Sequence, residues 1–159
     1  MEKHTLKPFY NKDSKILILG SFPSIKSREV GFYYSHPQNR FWKVLAYTFN
    51  EEIPNSIEEK KELLKRNKIA LFDVCAACDI KASSDASIKN VVPNNLEEIF
   101  NNSNIEVIAF DGKTAYDLYQ KYFKNKYDVG LISLPSTSPA NATWNMQMLI
   151  NEYRVLNKY

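Results

Sequence analysis

The 159-residue chain is 44% hydrophobic and 25% charged, which is ordinary for a globular protein, so a single domain spanning residues 1–159 is expected. Its 21 basic and 18 acidic side chains give a net charge of +3, which permits binding to nucleic acid but excludes a strongly basic coat protein. No apolar run is long enough for a membrane span and the first residues lack a signal-peptide core, so a cytoplasmic protein without membrane association is expected.

Short apolar runs alternate along the chain with amphipathic or charged segments. The apolar runs predict four strands, at residues 15–19, 69–75, 105–110 and 129–134. The intervening segments predict helices at residues 39–49, 56–67, 93–100, 114–123 and 142–157. Because strands that are apolar throughout belong to parallel sheets covered on both faces, the pattern predicts an α/β fold, a three-layer αβα sandwich with a central four-stranded parallel sheet.

Ligands of parallel sheets bind beyond the carboxyl ends of the strands, so the loops that follow the predicted strands are the candidate site. These loops are residues 20–38, 73–88, 111–113 and 135–143. The first loop (residues 20–38) is long and contains no predicted helix or strand, which is unusual unless the loop is functional. It begins Gly-Ser-Phe-Pro-Ser, which matches neither an NTPase phosphate loop nor a dinucleotide-binding fingerprint.

The last loop (residues 135–143) is rich in hydroxyl and amide side chains, among them Ser136, Thr137, Ser138 and Asn141. Such groups, beside the backbone N–H groups of a helix start, suit the phosphate oxygens of DNA. We therefore expect these residues to contact the DNA backbone. A polar loop that caps the last helix explains the same composition, and both interpretations can hold together.

Few side chains in these loops carry catalytic chemistry. Neither a Ser–His–Asp grouping nor a pair of glycosidase carboxylates is evident. His36 is a candidate acid or base, whereas the amide of Asn39 is neither and orients a water or a substrate group. Cys75 and Cys78 lack further ligands at suitable spacing, so two buried reduced thiols are expected rather than a metal, an iron–sulfur cluster or another cofactor.

Three motifs occur in order along the chain: GSFPS at residues 20–24, YYSHPQNRFW at residues 33–42 and LPSTSPA at residues 134–140. Together they resemble the uracil-DNA glycosylase superfamily, and within it the hypoxanthine-DNA glycosylase branch above all. Mismatch-specific uracil/thymine glycosylases are similar at residues 39–42 and 135–136. The resemblance spans most of the chain and implies the glycosylase fold, in agreement with the predicted strands.

The resemblance implies a monofunctional DNA glycosylase that flips a damaged nucleotide out of the duplex and hydrolyses its N-glycosidic bond, most of all that of hypoxanthine in deoxyinosine. Many members have a water-activating Asp or Asn where this chain has Phe22, and a His where it has Leu134. Catalysis is therefore expected to depend on Asn39, which corresponds to the Asn of the hypoxanthine branch. The expected partner is DNA containing a deaminated base, bound by a monomer.

The resemblance also implies a base pocket in the first loop and at the end of the second strand. The expected pocket residues are Gly20, Ser21, Phe22, Pro23, Ser24, Tyr33, Tyr34 and Asp73. Ser24 stands where uracil-specific relatives have a bulky Tyr, and it leaves room for a purine. A carboxylate at Asp73 accepts the N1–H of hypoxanthine and disfavours adenine, although a loop cap explains this residue equally well. The three aromatic residues either stack on the base or belong to the core.

Two other functions stay open at this point. A mismatch-specific uracil or thymine glycosylase would use the same pocket. A DNA-lesion binding module that has lost activity would explain why Phe22 and Leu134 are not catalytic groups. The last loop also lacks a Leu to fill the space that a flipped base leaves.

Overall fold

The computed structural model describes all 159 residues. The strands are β1 (Glu2–Lys3), β2 (Ile16–Gly20), β3 (Ile69–Asp73), β4 (Cys75–Asp79), β5 (Lys89–Pro93), β6 (Val107–Asp111) and β7 (Gly130–Leu134). The α-helices are α1 (Ile25–Val30), α2 (Phe41–Thr48), α3 (Ile57–Arg66), α4 (Glu97–Asn101), α5 (Lys113–Phe123) and α6 (Met146–Tyr153). Short 3₁₀ helices occur at Asp85–Ser87 and Arg154–Lys158.

The central sheet has four parallel strands in the order β3-β2-β6-β7. Every residue of β2, β3 and β6 is buried, whereas most of the edge strand β7 is at least partly exposed. Strands that are buried on both faces need helices on both sides of the sheet. Helix α3 packs against β3, α5 packs against β6 and β7, and α2 packs against α6. The predicted α/β sandwich with a four-stranded parallel sheet is confirmed.

A second sheet, which the sequence did not predict, holds three antiparallel strands in the order β1-β4-β5. The apolar run at residues 69–75 was predicted as one strand, but β3 ends at Asp73 and β4 begins in the other sheet at Cys75. The segment 73–88, predicted as a loop, therefore contains a strand and a 3₁₀ helix. The second sheet is joined to the carboxyl end of β3 by the single residue Val74.

The first loop also contains an element that the sequence did not predict, the six-residue helix α1. Ser24 caps this helix by accepting a hydrogen bond from Ser27 N, and Gly31 ends it with a φ of 90°. The last helix is shorter than predicted because Asn145 caps α6 by accepting from Met148 N. None of the helices combines the length and the apolar character needed to cross a membrane.

Cys75 and Cys78 are both free and buried, as the sequence predicted. Burial raises the pKa of each thiol above its ordinary value, so both stay protonated near neutral pH. With Phe22 they form a small apolar cluster, separate from the 31-residue cluster that fills the space between the central sheet and its helices. The small cluster joins the first loop to the second sheet.

Candidate active site

The carboxyl ends of all four parallel strands lie at one edge of the central sheet. Gly20 pairs in register with Asp73 at the ends of β2 and β3. Asp111 pairs with Leu134 at the ends of β6 and β7. Because the first and last loops both leave the sheet from this edge, the fold brings the three sequence motifs together.

Asp73 is held by a histidine from the N-terminal segment. His4 Nε2 lies 2.8 Å from Asp73 Oδ2, and the two side chains are only 3% and 4% exposed. Leu6 N donates to His4 Nδ1 at 3.2 Å, so Nδ1 carries no hydrogen and Nε2–H is the donor to the carboxylate. This contact occupies one carboxylate oxygen of Asp73 and leaves Oδ1 without a hydrogen-bond donor from the protein.

The absence of a side chain at Gly20 makes room for these polar groups. A Cβ atom at this position would lie 2.5 Å from Asp73 Oδ1 and 3.1 Å from the hydroxyl oxygen of Tyr34. The first distance is shorter than any real contact of a Cβ atom, so the carboxylate and the glycine fit together only without a side chain. Gly20 therefore marks the place where Asp73 Oδ1 and the Tyr34 hydroxyl approach each other.

Tyr34 has a backbone conformation that bulky residues rarely adopt, with a φ of 53°. Its ring stacks on Phe41 at 3.8 Å between ring centroids, and its hydroxyl is buried without a hydrogen-bond partner. Burial, and then the nearby Asp111 and Asp73 carboxylates, raise the pKa of Tyr34 well above its ordinary value. The residue is a neutral, unused donor in a strained loop, and such features are concentrated at functional sites.

The side chain of Asn39 is fixed by its oxygen. Asn39 Oδ1 accepts a hydrogen bond from Phe41 N at 2.9 Å at the start of α2, and it lies 2.9 Å from Thr137 Oγ1. The backbone donor decides the orientation of the amide, because an NH₂ group in that place would face another N–H. The Asn39 NH₂ group makes no hydrogen bond within the protein, so this amide presents two donors to whatever binds beside it.

Thr137 and Asp111 lie behind Asn39. Thr137 is completely buried, and its Oγ1 is 2.7 Å from Asp111 Oδ2. Asp111 Oδ1 accepts from Thr137 N at 2.8 Å and from the Tyr153 hydroxyl at 3.1 Å. Burial raises the pKa of Asp111 to about 6, although the hydrogen bonds from Thr137 and Tyr153 act in the opposite direction. A continuous line of contacts therefore runs from a buried carboxyl group to Asn39.

Arg40 fastens the last loop to the start of α2. Its guanidinium donates to the carbonyl oxygens of Ser138 at 2.9 Å and Asn141 at 3.1 Å, and also to those of Thr137 and Trp144. The guanidinium has five N–H donors in one rigid plane and binds four carbonyls here, whereas an ammonium group has only three donors. Arg40 thus fixes the shape of the last loop directly beside Asn39.

Residues 7–157 match the family model of the uracil DNA glycosylase superfamily. The chain belongs to this superfamily. Membership makes it a DNA glycosylase, and it confirms the resemblance of the three sequence motifs to this superfamily.

Two named relatives are similar to this glycosylase over most of its length. A hypoxanthine DNA glycosylase of Methanosarcina barkeri (strain Fusaro) is 34% identical over 117 residues, which are 72% of this chain and 74% of the relative. A hypoxanthine DNA glycosylase of Methanosarcina acetivorans is 32% identical over 146 residues, or 89% of each chain. Among solved structures, the solution NMR structure of a Methanosarcina acetivorans protein provisionally described as a uracil DNA glycosylase matches with a TM-score of 0.80, at 28% identity and 98% coverage of both chains.

The residues of the glycosylase that were expected to form the base pocket face different surroundings. Gly20, Tyr34 and Asp73 meet at the sheet edge. Tyr33 is 2% exposed, and its hydroxyl donates to the Lys7 carbonyl at 2.7 Å, so in this conformation it belongs to the core. Phe22 is 8% exposed and packs in the small apolar cluster with the two cysteines.

The other expected pocket residues contact the connection that follows β4 or cap a helix. Ser21 Oγ donates to Asp85 Oδ1 at 2.6 Å, which joins the first loop to the 3₁₀ helix Asp85–Ser87. Pro23 is buried, and Ser24 is the cap of α1. A pocket role for these three residues stays a prediction.

The polar residues of the last loop of the glycosylase fall into two groups. Ser136 Oγ accepts from Ser138 N at 3.1 Å, and Asn141 Nδ2 donates to the Ser136 carbonyl at 3.0 Å. Ser138 Oγ accepts from Ala140 N at 3.2 Å. Both serine hydroxyls keep their own protons free, so a phosphate contact stays a prediction for them and for the half-buried Asn141. Thr137 differs, since its hydroxyl is turned inward to Asn39 and Asp111.

The sequence analysis gave no role to His4, Arg40 or Asp111, although Asp111 lies in the candidate loop 111–113. His4 is 69 residues away from its partner Asp73 and lies in no motif. Arg40 stands within a motif, but its role depends on carbonyl groups about a hundred residues away. Asp111 had a visible signal, because it ends an apolar strand of a parallel sheet as Asp73 does. His36, a candidate acid or base, accepts from Gln38 N at 3.1 Å and shapes the turn before α2.

Proposed function

We propose that this DNA glycosylase excises deaminated bases from DNA, and hypoxanthine from deoxyinosine in particular. The names of the two relatives that are 34% and 32% identical support the choice of hypoxanthine. The three motifs support the same choice independently, and the polar groups at the sheet edge support a deaminated base. The proposal assigns the reading of the base to Asp73 and Tyr34, and the assistance of hydrolysis to Asn39.

The observation that carries the proposal is the pair of unused groups beside Gly20. Asp73 Oδ1 is an acceptor without a donor, since His4 occupies the other carboxylate oxygen. The hydroxyl of Tyr34 is a buried donor without an acceptor. Hypoxanthine carries a donor, N1–H, next to an acceptor, the C6 carbonyl, so its edge complements this pair of groups. A ligand with that edge satisfies both, which removes the cost of a buried polar group without a partner.

Deamination is the change that such a pair detects. Adenine has an acceptor at N1 and an amino group at C6, so its edge has the opposite polarity to that of hypoxanthine. Adenine would place an acceptor against the Asp73 carboxylate and an N–H group against the Tyr34 hydroxyl. A site built to bind a polar edge rejects the mismatched edge strongly because its own buried groups are then left unpaired.

Asn39 is the group assigned to the reacting sugar. As the C1′–N9 bond breaks, its electron pair leaves with the base, and a water oxygen forms a new bond to C1′. The water gives up a proton, and the departing base gains one. The two N–H donors of Asn39 hold the water oxygen or an acceptor of the base in place, and positioning of this kind lowers a barrier by several kcal/mol. This mechanism does not need a general base at position 22, where the side chain of Phe22 cannot accept a proton.

An excision assay on a panel of DNA duplexes tests this proposal. Duplexes containing inosine, xanthine, uracil or a G·T mismatch are incubated with the enzyme, and abasic sites are cleaved by alkali and counted on a gel. We expect inosine to be processed fastest and undamaged adenine to be untouched. Release of uracil much faster than hypoxanthine would contradict the substrate, and binding without release of any base would favour the lesion-binding module.

Uracil is the second candidate because it presents the same pair of groups, N3–H beside the C4 carbonyl. The solved structure with a TM-score of 0.80, which is provisionally described as a uracil DNA glycosylase, supports this alternative. The choice between the two bases depends on the room for a purine ring rather than on the hydrogen bonds. Replacing Ser24→Tyr separates them: if Ser24 lines the pocket, the variant loses inosine excision and keeps uracil excision.

The variant Asn39→Ala tests the catalytic assignment. We expect the single-turnover excision rate to fall by about 10²–10³-fold, since a preorganised donor is removed. Binding to inosine-containing DNA, measured by fluorescence anisotropy, should stay near the wild-type value. The exposed Asn102→Ala, which removes an amide that contacts only the Glu98 carbonyl, is the control. Equal excision by both variants would exclude Asn39 from catalysis.

A further inference from the structure

We infer that Asp111 is a positioning residue that acts in its protonated form, and that it fixes the amide of Asn39 through the hydroxyl of Thr137. This inference rests on the proposed function, because it concerns the residue assigned to the reacting sugar. It assigns a role to a buried carboxyl group whose hydrogen bonds are made to Thr137 and Tyr153. The contacts of Thr137 carry it.

The number of hydrogens shared by Asn39, Thr137 and Asp111 shows whether Asp111 is protonated. Thr137 Oγ1 has oxygen neighbours on both sides, Asn39 Oδ1 at 2.9 Å and Asp111 Oδ2 at 2.7 Å. Two hydrogen bonds between three oxygens need two hydrogens, and the threonine hydroxyl supplies one. The Asn39 oxygen cannot be exchanged for its nitrogen, since Phe41 N donates to it. The second hydrogen therefore belongs to Asp111.

The contacts of the carboxyl group also show which oxygen carries that hydrogen. Asp111 Oδ1 accepts the backbone N–H of Thr137 at 2.8 Å, so it behaves as a carbonyl oxygen. The Tyr153 hydroxyl shares its one hydrogen between the Pro135 carbonyl at 2.9 Å and Asp111 Oδ1 at 3.1 Å, so Oδ1 acts as an acceptor here too. Oδ2 is then the hydroxyl oxygen of Asp111. It donates to Thr137 Oγ1, which in turn donates to Asn39 Oδ1.

The surroundings of Asp111 disfavour its ionised form. The group is 6% exposed, and its burial raises its pKa to about 6. The titratable or charged groups nearby are Tyr153 on α6, Tyr34 and Arg40 before α2, and Asp85 on the 3₁₀ helix. Arg40 is the only cation among them, and its guanidinium is committed to backbone carbonyls.

Ionisation of Asp111 changes the contact that matters for Asn39. The Thr137 hydroxyl then donates to the carboxylate, and no hydrogen is left between Thr137 Oγ1 and Asn39 Oδ1, which lie 2.9 Å apart. The amide loses one of its two fixed hydrogen bonds and can turn. Excision should therefore decline to a lower plateau as the pH rises through the pKa of Asp111, while binding of lesion DNA changes less.

The variant Asp111→Asn distinguishes this role from that of an ionised base. An asparagine amide donates to Thr137 Oγ1 at every pH, as protonated Asp111 does, so the variant should excise inosine and lack the alkaline decline. Thr137→Val keeps the shape and removes the hydroxyl, and it should lower the single-turnover rate by about 10²-fold with lesion binding retained. Thr137→Ser restores the hydroxyl and should recover most of the rate. A folded Asp111→Asn enzyme that is inactive at all pH values would overturn the inference.

An NMR titration makes the result independent of the glycosylase reaction. The side-chain ¹⁵N signal of Asn39, assigned by its loss in Asn39→Ala, should shift between pH 5 and pH 8 in the wild type and stay constant in Asp111→Asn. We call the chain of hydrogen bonds from Asp111 through Thr137 to Asn39 the relay. A pH-dependent shift of the Asn39 signal that persists in Asp111→Asn would contradict the relay, and so would the absence of any shift in the wild type. If the wild type excises no deaminated base but the Asn39 signal follows Asp111, the proposed function fails and the relay stands.

Discussion

At the scale of single residues, the site depends on the lack of a side chain at Gly20 as much as on the polar side chains around it. Gly20 has no Cβ, and this allows the Asp73 carboxylate to reach the edge of β2. The motifs of the sequence pointed to Gly20 and Asn39, and the family resemblance pointed to Asp73, but neither gave the surroundings of these residues. His4 was not predictable, because nothing in the local sequence indicates a partner 69 residues away.

The replacement Gly20→Ala should both disturb the site and lower the stability of the fold. A methyl group 2.5 Å from Asp73 Oδ1 forces the carboxylate away, and overpacking of this kind costs about 1–3 kcal/mol. The free energy of unfolding in urea and the inosine excision rate should both fall. Gly130→Ala is the control, since its Cβ would meet nothing nearer than 3.5 Å. Equal stability of the two variants would show that the close approach at Gly20 is relieved without cost.

Removing the donor from His4 should destabilise the protein and weaken base selectivity together. In His4→Phe the Asp73 carboxylate is buried without its hydrogen bond, which costs about 3 kcal/mol. The same change on an Asp73→Asn background should cost less, since no charge is then left unpaired. His36→Phe serves as the matched histidine control because its ring only accepts a bond from a neighbouring N–H. Identical costs in both backgrounds would mean that the His4–Asp73 contact contributes little.

At the scale of elements, the alternation of strands and helices in the central sheet could be predicted from the sequence. Apolar strands separated by helices gave the parallel sheet correctly, because burial on both faces leaves a continuous apolar run. The second sheet was missed since β4 reads Cys-Ala-Ala-Cys-Asp and β5 is mostly exposed, so neither has the alternation of a half-buried strand. Helix α1, with six residues and a single buried one, is too short to show a period.

The link between α2 and the last loop can be tested at Arg40. In Arg40→Lys one ammonium replaces a planar group that binds several carbonyls, so the last loop should become mobile. We expect faster amide hydrogen exchange in residues 136–144 and weaker binding of lesion DNA, with little change in the rest of the fold. Arg66→Lys, at an exposed pair with Glu51, is the control and should change neither. Unchanged exchange in the last loop would show that other contacts hold it.

At the scale of the whole molecule, the central sheet and the contact between the first loop and the second sheet depend on different packing. One cluster of 31 buried residues stabilises the sheet and its helices, whereas the first loop meets the second sheet through a small cluster around Phe22. The fold class was therefore predictable from hydrophobic pattern alone. The arrangement of the site was not, because it depends on hydrogen bonds between residues far apart in sequence.

The stability of the molecule should decrease as the pH rises because of Asp111. Its pKa is raised by burial from 3.8 to about 6, so the folded state keeps a proton that the unfolded state loses between these values. The free energy of unfolding should fall through this window by about 3 kcal/mol and stay lower above it. Urea titrations at pH 4 and pH 7 should show this fall in the wild type relative to Asp111→Asn. A constant difference between the two proteins would mean that the pKa of Asp111 is the same folded and unfolded.

The two-residue strand β1 has a consequence for how the enzyme fails on heating. It delivers His4 to Asp73, yet both of its residues are exposed and it pairs only with β4. Segments of this kind open locally at a lower free energy than a buried sheet does. We expect hydrogen exchange at Leu6 to be faster than in β2, and a warmed enzyme to discriminate poorly between inosine and adenosine before it melts. Fidelity would then have a lower temperature limit than the fold itself.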